Sequence, residues 1–271
     1  MKQGLRVAVG GLLATSMLLS LGATQTGTVT PSASSDSAKL GILVELFTSE
    51  GCSSCPPADE LLRRLDQQRA ISKCQIVVLG EHVDYWDQGG WHDRFSSHEF
   101  TDRQQEYARR FSTAGPYTPQ MVVDGKREFV GNDSRSLQAA LDKARTEPKA
   151  SVIISSADLD GNELRLKLET GALPPGHRRA DLYVAVAENS DETRVQGGEN
   201  SGRRLQHAAV LRILEKIAKA GPEGVERATV LHIPKDLSKD NLRVVAFIQE
   251  PGNGAVLGST VRILGEKTAS R

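Results

Sequence analysis

Two cysteines separated by two residues are the most chemically informative feature of this sequence. Cys52 and Cys55 follow an apolar run and precede two prolines. A Cys-x-x-Cys pair where a strand gives way to a helix is typical of a redox site. The unpaired N–H groups and positive dipole end of the helix favour a thiolate there, which lowers a cysteine pKa from its usual value of about 8.5. The spacing therefore predicts thiol–disulfide chemistry.

The two cysteines are predicted to have different roles. Cys52, at the turn, is expected to lie nearer to solvent and to be the attacking thiol, while Cys55 resolves the mixed disulfide. The serines between them are expected to donate hydrogen bonds to the Cys52 sulfur. A bridge across two residues constrains the unfolded chain very little, so chemistry is favoured over a structural staple. Metal binding and an inert local bridge are the alternatives.

A loop from residue 82 to residue 98 combines aromatic, acidic and imidazole side chains. Tyr85 and Trp86 are predicted to form a substrate-binding wall beside the dithiol, because such rings offer stacking area with a polar tip. We predict a site without metal. The alternatives are a copper or zinc site made by Cys52, Cys55 and His82, or aromatic side chains that only pack the domain.

Two side chains near this loop have simpler interpretations. Cys74 opens an apolar run and is predicted to be a core thiol, with a third redox partner as the alternative. Arg103 lies on the predicted helix that follows the loop. It is expected to pair with Asp84 or Asp87, because these residues are close to it in the sequence.

Alternating strands and helices must position these residues. The predicted elements are a strand at 40–47, a helix at 57–69, a strand at 75–80, a helix at 100–111, a strand opened by Pro119, a return strand at 127–130 and a helix at 134–146. A proline in the first helical turn is tolerated because its missing N–H has no partner there. The order β-α-β-α-β-β-α predicts one α/β domain over residues 39–147.

The second half of the chain is rich in β-branched runs separated by Gly and Pro turns. These runs lie at 151–156, 163–170, 182–188, 227–233, 242–250 and 255–264. Several short strands at this spacing predict an all-β, sandwich-like domain over residues 150–265. The stretch from residue 207 to residue 220 fits either a helix or a strand.

The N-terminus has the pattern of an export signal. Lys2 and Arg6 precede an apolar stretch from residue 7 to residue 21, and Gly22-Ala23 offers a cleavage site. This predicts a signal peptide over residues 1–23 and a disordered leader over 24–38. The protein is then exported, periplasmic or secreted, with no membrane span after cleavage. An uncleaved signal anchor is the alternative.

The overall charge is balanced, with 34 basic and 34 acidic residues. This gives no electrostatic reason to expect a nucleic-acid partner. The sequence also lacks a phosphate-binding Gly-rich loop, and we predict no cofactor. The expected partner is a protein or a small-molecule thiol.

The first half resembles the thioredoxin superfamily. It has Cys-x-x-Cys at a helix start, helix–strand–helix in the middle, and Thr118-Pro119 opening a strand. The resemblance implies that Pro119 follows a cis peptide bond beside the disulfide and that the Thr118 backbone receives an incoming peptide. It also implies that Glu45 is the buried acid that helps to deprotonate the resolving cysteine; a Glu that faces solvent or pairs with an Arg is the alternative. The predicted fold class is therefore an α/β thioredoxin-like domain followed by an all-β sandwich-like domain.

Several segments of the sequence are similar to one bacterial exported family, catalogued as domain of unknown function 1223. The similarity lies in residues 45–59, 82–87, 117–120 and 198–207. It implies an exported thiol–disulfide oxidoreductase-like protein, but the family has no established substrate. A metal-delivery module and a non-catalytic binding scaffold are the alternative functions.

Overall fold

The computed structural model describes residues 40–71 and 73–264. The predicted signal peptide, 1–23, and leader, 24–38, lie outside these ranges. The helices are α1 (Pro56–Gln68), α2 (His98–Phe111) and α3 (Ser134–Ala144). The strands are β1 (Leu40–Thr48), β2 (Ala70–Ile71), β3 (Cys74–His82), β4 (Gln120–Val123), β5 (Arg127–Val130), β6 (Val152–Asp160), β7 (Glu163–Thr170), β8 (Ala180–Arg194), β9 (Arg204–Ala220), β10 (Val225–His232), β11 (Leu242–Gln249) and β12 (Val256–Ile263).

One large mixed sheet contains nine of these strands. Its order is β12-β11-β8-β9-β3-β1-β4-β5, and the short β2 pairs with β3. β3 is parallel to β1 and to β9, and the other pairings in this sheet are antiparallel. The remaining three strands form a second sheet in the order β10-β7-β6. Strands therefore dominate the part of the chain that the structure describes.

The predicted fold class, an α/β thioredoxin-like domain followed by a separate β-sandwich, is wrong. The large sheet crosses the predicted boundary near residues 147–150, because β3 pairs with β9 through Gly80 and Val210. Gly80 allows this approach, since a Cβ there would lie 3.1 Å from the carbonyl oxygen of Ala208. The ambiguous stretch from residue 207 to residue 220 is part of strand β9 rather than a helix.

The central strands are buried on both faces. Side chains alternate across a strand, so Val44 and Leu46 of β1 face the cluster that contains α1 residues such as Leu62. Phe47 faces the opposite way, against Tyr107 of α2. Helices α1 and α2 thus lie on opposite faces of the same strand.

The ends of the first two helices follow from local chemistry. Pro residues occupy the first turn of α1, and Arg69 ends that helix with a left-handed φ of 55°. Helix α2 begins after Ser97, whose side chain accepts a hydrogen bond from the Glu99 N–H. This is the usual way to satisfy a free donor at a helix N-terminus. Both helices start close to where the sequence predicts them.

The buried thiol of Cys74 is free, and Cys74 is 7% exposed. It packs in the apolar cluster beneath α1 and α3, beside side chains such as Leu65 and Ile76. This position agrees with the prediction of a core thiol. Among the described residues, Cys74 forms no disulfide.

Candidate redox site

Cys52 and Cys55 form a disulfide at the N-terminus of α1. Their Cα atoms are 5.4 Å apart. Cys55 is the N-cap residue, and its carbonyl oxygen accepts hydrogen bonds from the N–H groups of Ala58 and Asp59 at 2.8 and 3.1 Å. The pair therefore lies at the strand-to-helix position that the sequence predicts.

The disulfide is buried. Both Cys52 and Cys55 are 0% exposed, so the expectation that Cys52 lies nearer to solvent is wrong. The two serines between them are exposed, and the Ser54 hydroxyl lies 3.4 Å from Cys52 Sγ. The serines of the loop are therefore exposed while its two cysteines are buried.

A segment from the second half of the chain lies on this loop. We name residues 197–201 the cover segment; it contains the 3-10 turn Gly198–Asn200. Asn200 Nδ2 donates to the carbonyl oxygens of Glu50 and Cys52, at 2.8 and 2.9 Å. Glu199 accepts a hydrogen bond from the Ser53 N–H at 3.1 Å, which lowers the pKa of this exposed carboxyl. Asn200 itself is 0% exposed.

Glycines let the cover segment pack tightly on the aromatic loop. A Cβ on Gly197 would lie 2.3 Å from the carbonyl oxygen of Gly90. Gly198 has a φ of +66°, and a Cβ there would lie 3.1 Å from the Cβ of Trp91. Trp91 in turn donates from Nε1 to Glu50 Oε2 at 2.7 Å. The cysteine loop, the aromatic loop and the cover segment therefore hold one another.

The four predicted substrate-binding residues are close together. Trp86 Nε1 donates to Thr118 Oγ1 at 2.7 Å, and Tyr85, which precedes Trp86, is 39% exposed. The Thr118–Pro119 peptide bond is cis, as predicted. Trp86 also lies against Gly51, since a Cβ on that glycine would be 3.1 Å from the Trp86 Cβ. An aromatic wall thus adjoins the cysteine loop.

Glu45 is not brought to the cysteines. It lies on the face of β1 opposite α1 and is 0% exposed. Arg103 Nε donates to Glu45 Oε1 at 2.8 Å, and the Tyr107 hydroxyl donates to Glu45 Oε2 at 2.7 Å. The carboxyl therefore belongs to a buried ion pair with α2. The pairing of Arg103 with Asp84 or Asp87, expected from sequence proximity, is not the one that forms.

Beneath the cysteine loop lies a buried cluster of ionisable side chains. His82 Nδ1 lies 2.7 Å from Asp93 Oδ2, which also accepts the Glu50 N–H at 2.9 Å. The His82 ring packs edge-on against His207, with ring centroids 4.8 Å apart. His207 Nε2 lies 3.3 Å from Glu50 Oε1. His82 is therefore engaged with Asp93 rather than with the sulfur atoms.

Two opposing effects set the pKa values in this cluster: burial disfavours charged side chains, and ion pairing favours them. Burial disfavours the charged forms of His82 and Asp93, but their mutual attraction and hydrogen bond outweigh it. The pKa of His82 is raised, and that of Asp93 is lowered to about 2. Burial instead prevails at Asp59, whose pKa is raised. Asp59 lies four residues after Cys55, one helical turn away and on the buried side of α1.

Sequence reasoning missed three residues of this site as functional side chains. Asp59 interrupts the apolar face of α1 that Leu62 and Leu65 continue, and a polar residue on such a face was the available signal. Asn200 and His207 lie within a stretch that resembles the family, but nothing local connects them with Cys52. Their contacts join β9 and the segment before it to Glu50 and Cys52, which are distant in the sequence.

The described residues contain no group of three or more His, Cys, Asp or Glu side chains arranged to hold a metal ion.

Within the same ranges, no helix is long and apolar enough to cross a membrane.

The fold and the site define a mostly β protein with a covered Cys-x-x-Cys disulfide at a helix N-terminus. The chain belongs to the family described as "Protein of unknown function (DUF1223)", whose model matches residues 43–249. The family description assigns no activity. No curated protein matches this chain.

One solved structure resembles this fold over most of the chain. The chain is similar to a crystal structure of a protein from Agrobacterium tumefaciens, with 27% identity and a TM-score of 0.64, covering 85% of this chain and 97% of the other. It also matches a domain of the outer membrane lipoprotein Omp28 from Porphyromonas gingivalis, with 12% identity and a TM-score of 0.27, covering 43% and 88%. The first likeness extends over nearly the whole fold.

Proposed function

We propose that this protein exchanges thiols and disulfides with a partner through Cys52 and Cys55. The observation that carries the proposal is a disulfide closed over only two intervening residues at the N-terminus of α1. Such a short bridge adds little to stability, because it removes little freedom from the unfolded chain. The helix N-terminus stabilises the thiolate that exchange requires.

The exchange balances as a two-electron reaction. A partner thiolate attacks Cys52 Sγ, the Cys52–Cys55 bond breaks, and Cys55 leaves as a thiolate that takes up a proton. A second partner thiol then attacks the mixed disulfide and releases Cys52. The partner loses two electrons and two protons, which the two cysteines gain. In the opposite direction, the Cys52 thiolate attacks a partner disulfide and Cys55 resolves the product.

The cell envelope is the proposed location. The positively charged N-terminus, the apolar stretch and the small residues near 22–23 are typical of a signal peptide. Oxidising compartments outside the cytosol allow a disulfide to persist. Export and redox exchange are therefore consistent with each other.

The midpoint potential of the pair tests this function. The purified protein is equilibrated in graded glutathione buffers, and alkylation mass shifts report the thiols. A reversible two-electron transition is expected for the native protein and for Cys74→Ala, and none for Cys52→Ser. Cys55→Ser is expected to accumulate a mixed disulfide with insulin that the native protein resolves. Without a reversible transition in the native protein, the proposed function is wrong.

A further inference from the structure

We infer that the cover segment controls access to Cys52 and makes an extended polypeptide, rather than a small thiol, the preferred exchange partner. The first part, control of access to Cys52, follows from the fold and does not depend on the proposed function. The preference for a polypeptide rests on the proposed function.

Access is blocked by specific contacts. Cys52 and Cys55 are 0% exposed, and Asn200, also 0% exposed, donates to the carbonyl oxygen of Cys52. Arg203 Nη1 donates to Asn200 Oδ1 at 3.0 Å, so both ends of the Asn200 amide are bonded. A thiolate needs an unobstructed line to the sulfur that it attacks. The cover segment therefore has to leave the cysteine loop before exchange takes place.

Displacing the cover segment leaves backbone groups without partners. The carbonyl oxygens of Glu50 and Cys52 lose the Asn200 donor, and the Ser53 N–H loses the Glu199 acceptor. Unpaired backbone groups that stay away from water are costly, so a partner that replaces these bonds is favoured. Two acceptors and one donor on neighbouring residues suit the N–H and C=O groups of an extended polypeptide. A small thiol offers fewer such groups than an extended polypeptide does.

The neighbouring wall extends this surface. Tyr85, 39% exposed, and Trp86 lie beside Gly51 and Thr118. Aromatic side chains with a free face are common anchors for polypeptide partners. The same surface thus supplies backbone bonding groups and apolar area next to the disulfide.

Chemical reduction tests access independently of any biological activity. Tris(2-carboxyethyl)phosphine attacks a disulfide sulfur, and with one water it yields the phosphine oxide and two thiols. Asn200→Ala removes the hydrogen bonds made by the Asn200 side-chain amide, and Gly197→Ala forces a Cβ against Gly90. Asn200→Ala is expected to speed reduction about tenfold, because buried hydrogen bonds are lost. Gly197→Ala is also expected to speed it, because the new Cβ forces the cover segment away from Gly90. Asn162→Ala, at an exposed turn, is the matched control and is expected to leave the rate unchanged.

Urea separates opening of the cover from loss of the whole fold. If the cover moves alone, the reduction rate in the native protein depends only weakly on urea, because little surface is exposed. A urea dependence equal to that of global unfolding, or unchanged rates in both cover variants, would overturn the inference.

The partner preference is tested with two reductants of known chemistry. The oxidised protein is mixed with reduced, unfolded ribonuclease A or with glutathione, and rates are compared per thiol. The polypeptide is expected to react faster with the native protein, and Asn200→Ala is expected to reduce this difference about tenfold. Equal rates per thiol in the native protein would contradict the preference. If the Cys52–Cys55 pair shows no reversible redox transition, the proposed function is contradicted. The phosphine reduction rates would still measure how far the cover segment limits access to Cys52.

Discussion

Arg103 and Glu45 form an ion pair buried between α2 and the central sheet, with Arg103 Nε 2.8 Å from Glu45 Oε1. Gln249 and Asn253, from the second half of the chain, accept further hydrogen bonds from the same guanidinium, at 3.1 and 2.9 Å. A side chain of the predicted first domain thus depends on partners from the predicted second one. The pair holds the two halves of the chain together beneath the sheet.

Removing Arg103 is expected to destabilise the protein strongly. Arg103→Ala leaves the buried Glu45 carboxyl without its cationic partner, and such a loss typically lowers the free energy of unfolding by about 3–5 kcal/mol. Urea unfolding measures the change. The matched control is Arg110→Ala on the exposed side of α2, which we expect to have almost no effect. Equal stability of the two variants would contradict the role given to the pair.

Glu81 is expected to make the protein less stable as pH rises. It is 0% exposed, and its two carboxyl oxygens have no hydrogen-bond partner among the described residues. Burial, with the neighbouring charge of Glu45, raises its pKa well above 4.5. The unfolded chain releases this proton near pH 4.5 and the folded chain keeps it, so stability falls above that pH.

Glu81→Gln tests this consequence. The variant is expected to match the native protein at pH 4 and to be more stable than it at pH 8. Chemical denaturation at the two values gives the comparison. A native protein that gains stability relative to the variant on going from pH 4 to pH 8 would rule the argument out.

The buried His82–Asp93 pair is expected to stabilise the fold over a limited pH range. The pKa of His82 is raised and that of Asp93 is lowered to about 2, so the contribution is complete between their ordinary values, 3.8 and 6.5. It is lost as pH rises through the raised pKa of His82, and again as pH falls towards about 2. For Asp93 the contribution is on the order of 2 kcal/mol.

Asp93→Asn is the corresponding variant. Its loss of stability is expected to be largest near pH 5 and smaller near pH 9, as measured by urea unfolding. Asp102→Asn, at an acid with a side chain 63% exposed, is the control and should change little at either pH. A loss that grows from pH 5 to pH 9 would show that the pair is not charged in the folded protein.

The contact between β3 and β9 is expected to tolerate no side chain at Gly80. In Gly80→Ala the new Cβ lies 3.1 Å from the Ala208 carbonyl oxygen and 3.7 Å from Leu62, so backbone must shift. Such overpacking costs about 1–3 kcal/mol. Gly115→Ala, with nothing within 4 Å, is the control. Thermal unfolding of both variants measures the difference, and equal midpoints would contradict this view of the contact.

Local features of this protein could be predicted from its sequence, whereas distant pairings could not. The helix after Cys55 depends on neighbouring residues, and the cis bond before Pro119 is implied by the resemblance to the thioredoxin superfamily; both are present. The pairing of Gly80 with Val210 joins distant parts of the chain. An apolar run indicates that a strand is buried but not which strand lies beside it, and that gap made the fold-class prediction wrong.

The same limit applies to the candidate site. The spacing of Cys52 and Cys55 predicts their chemistry, but no local pattern connects them with Asn200, which donates to the Cys52 carbonyl oxygen. The resemblance assigns Glu45 to the cysteines, and pairing with an Arg is the alternative. Alternation along β1 instead directs it towards Arg103, on the opposite face from α1.

The position of Asn200 along the chain has a consequence for biosynthesis. Asn200 follows Cys52 by 148 residues, so the cysteines leave the ribosome long before the side chain that covers them. At ordinary translation speeds the interval is roughly 7–30 seconds. Throughout it the hydrogen bonds from Asn200 to the cysteine loop cannot form. The contacts of the cover segment are therefore among the last parts of the site to form.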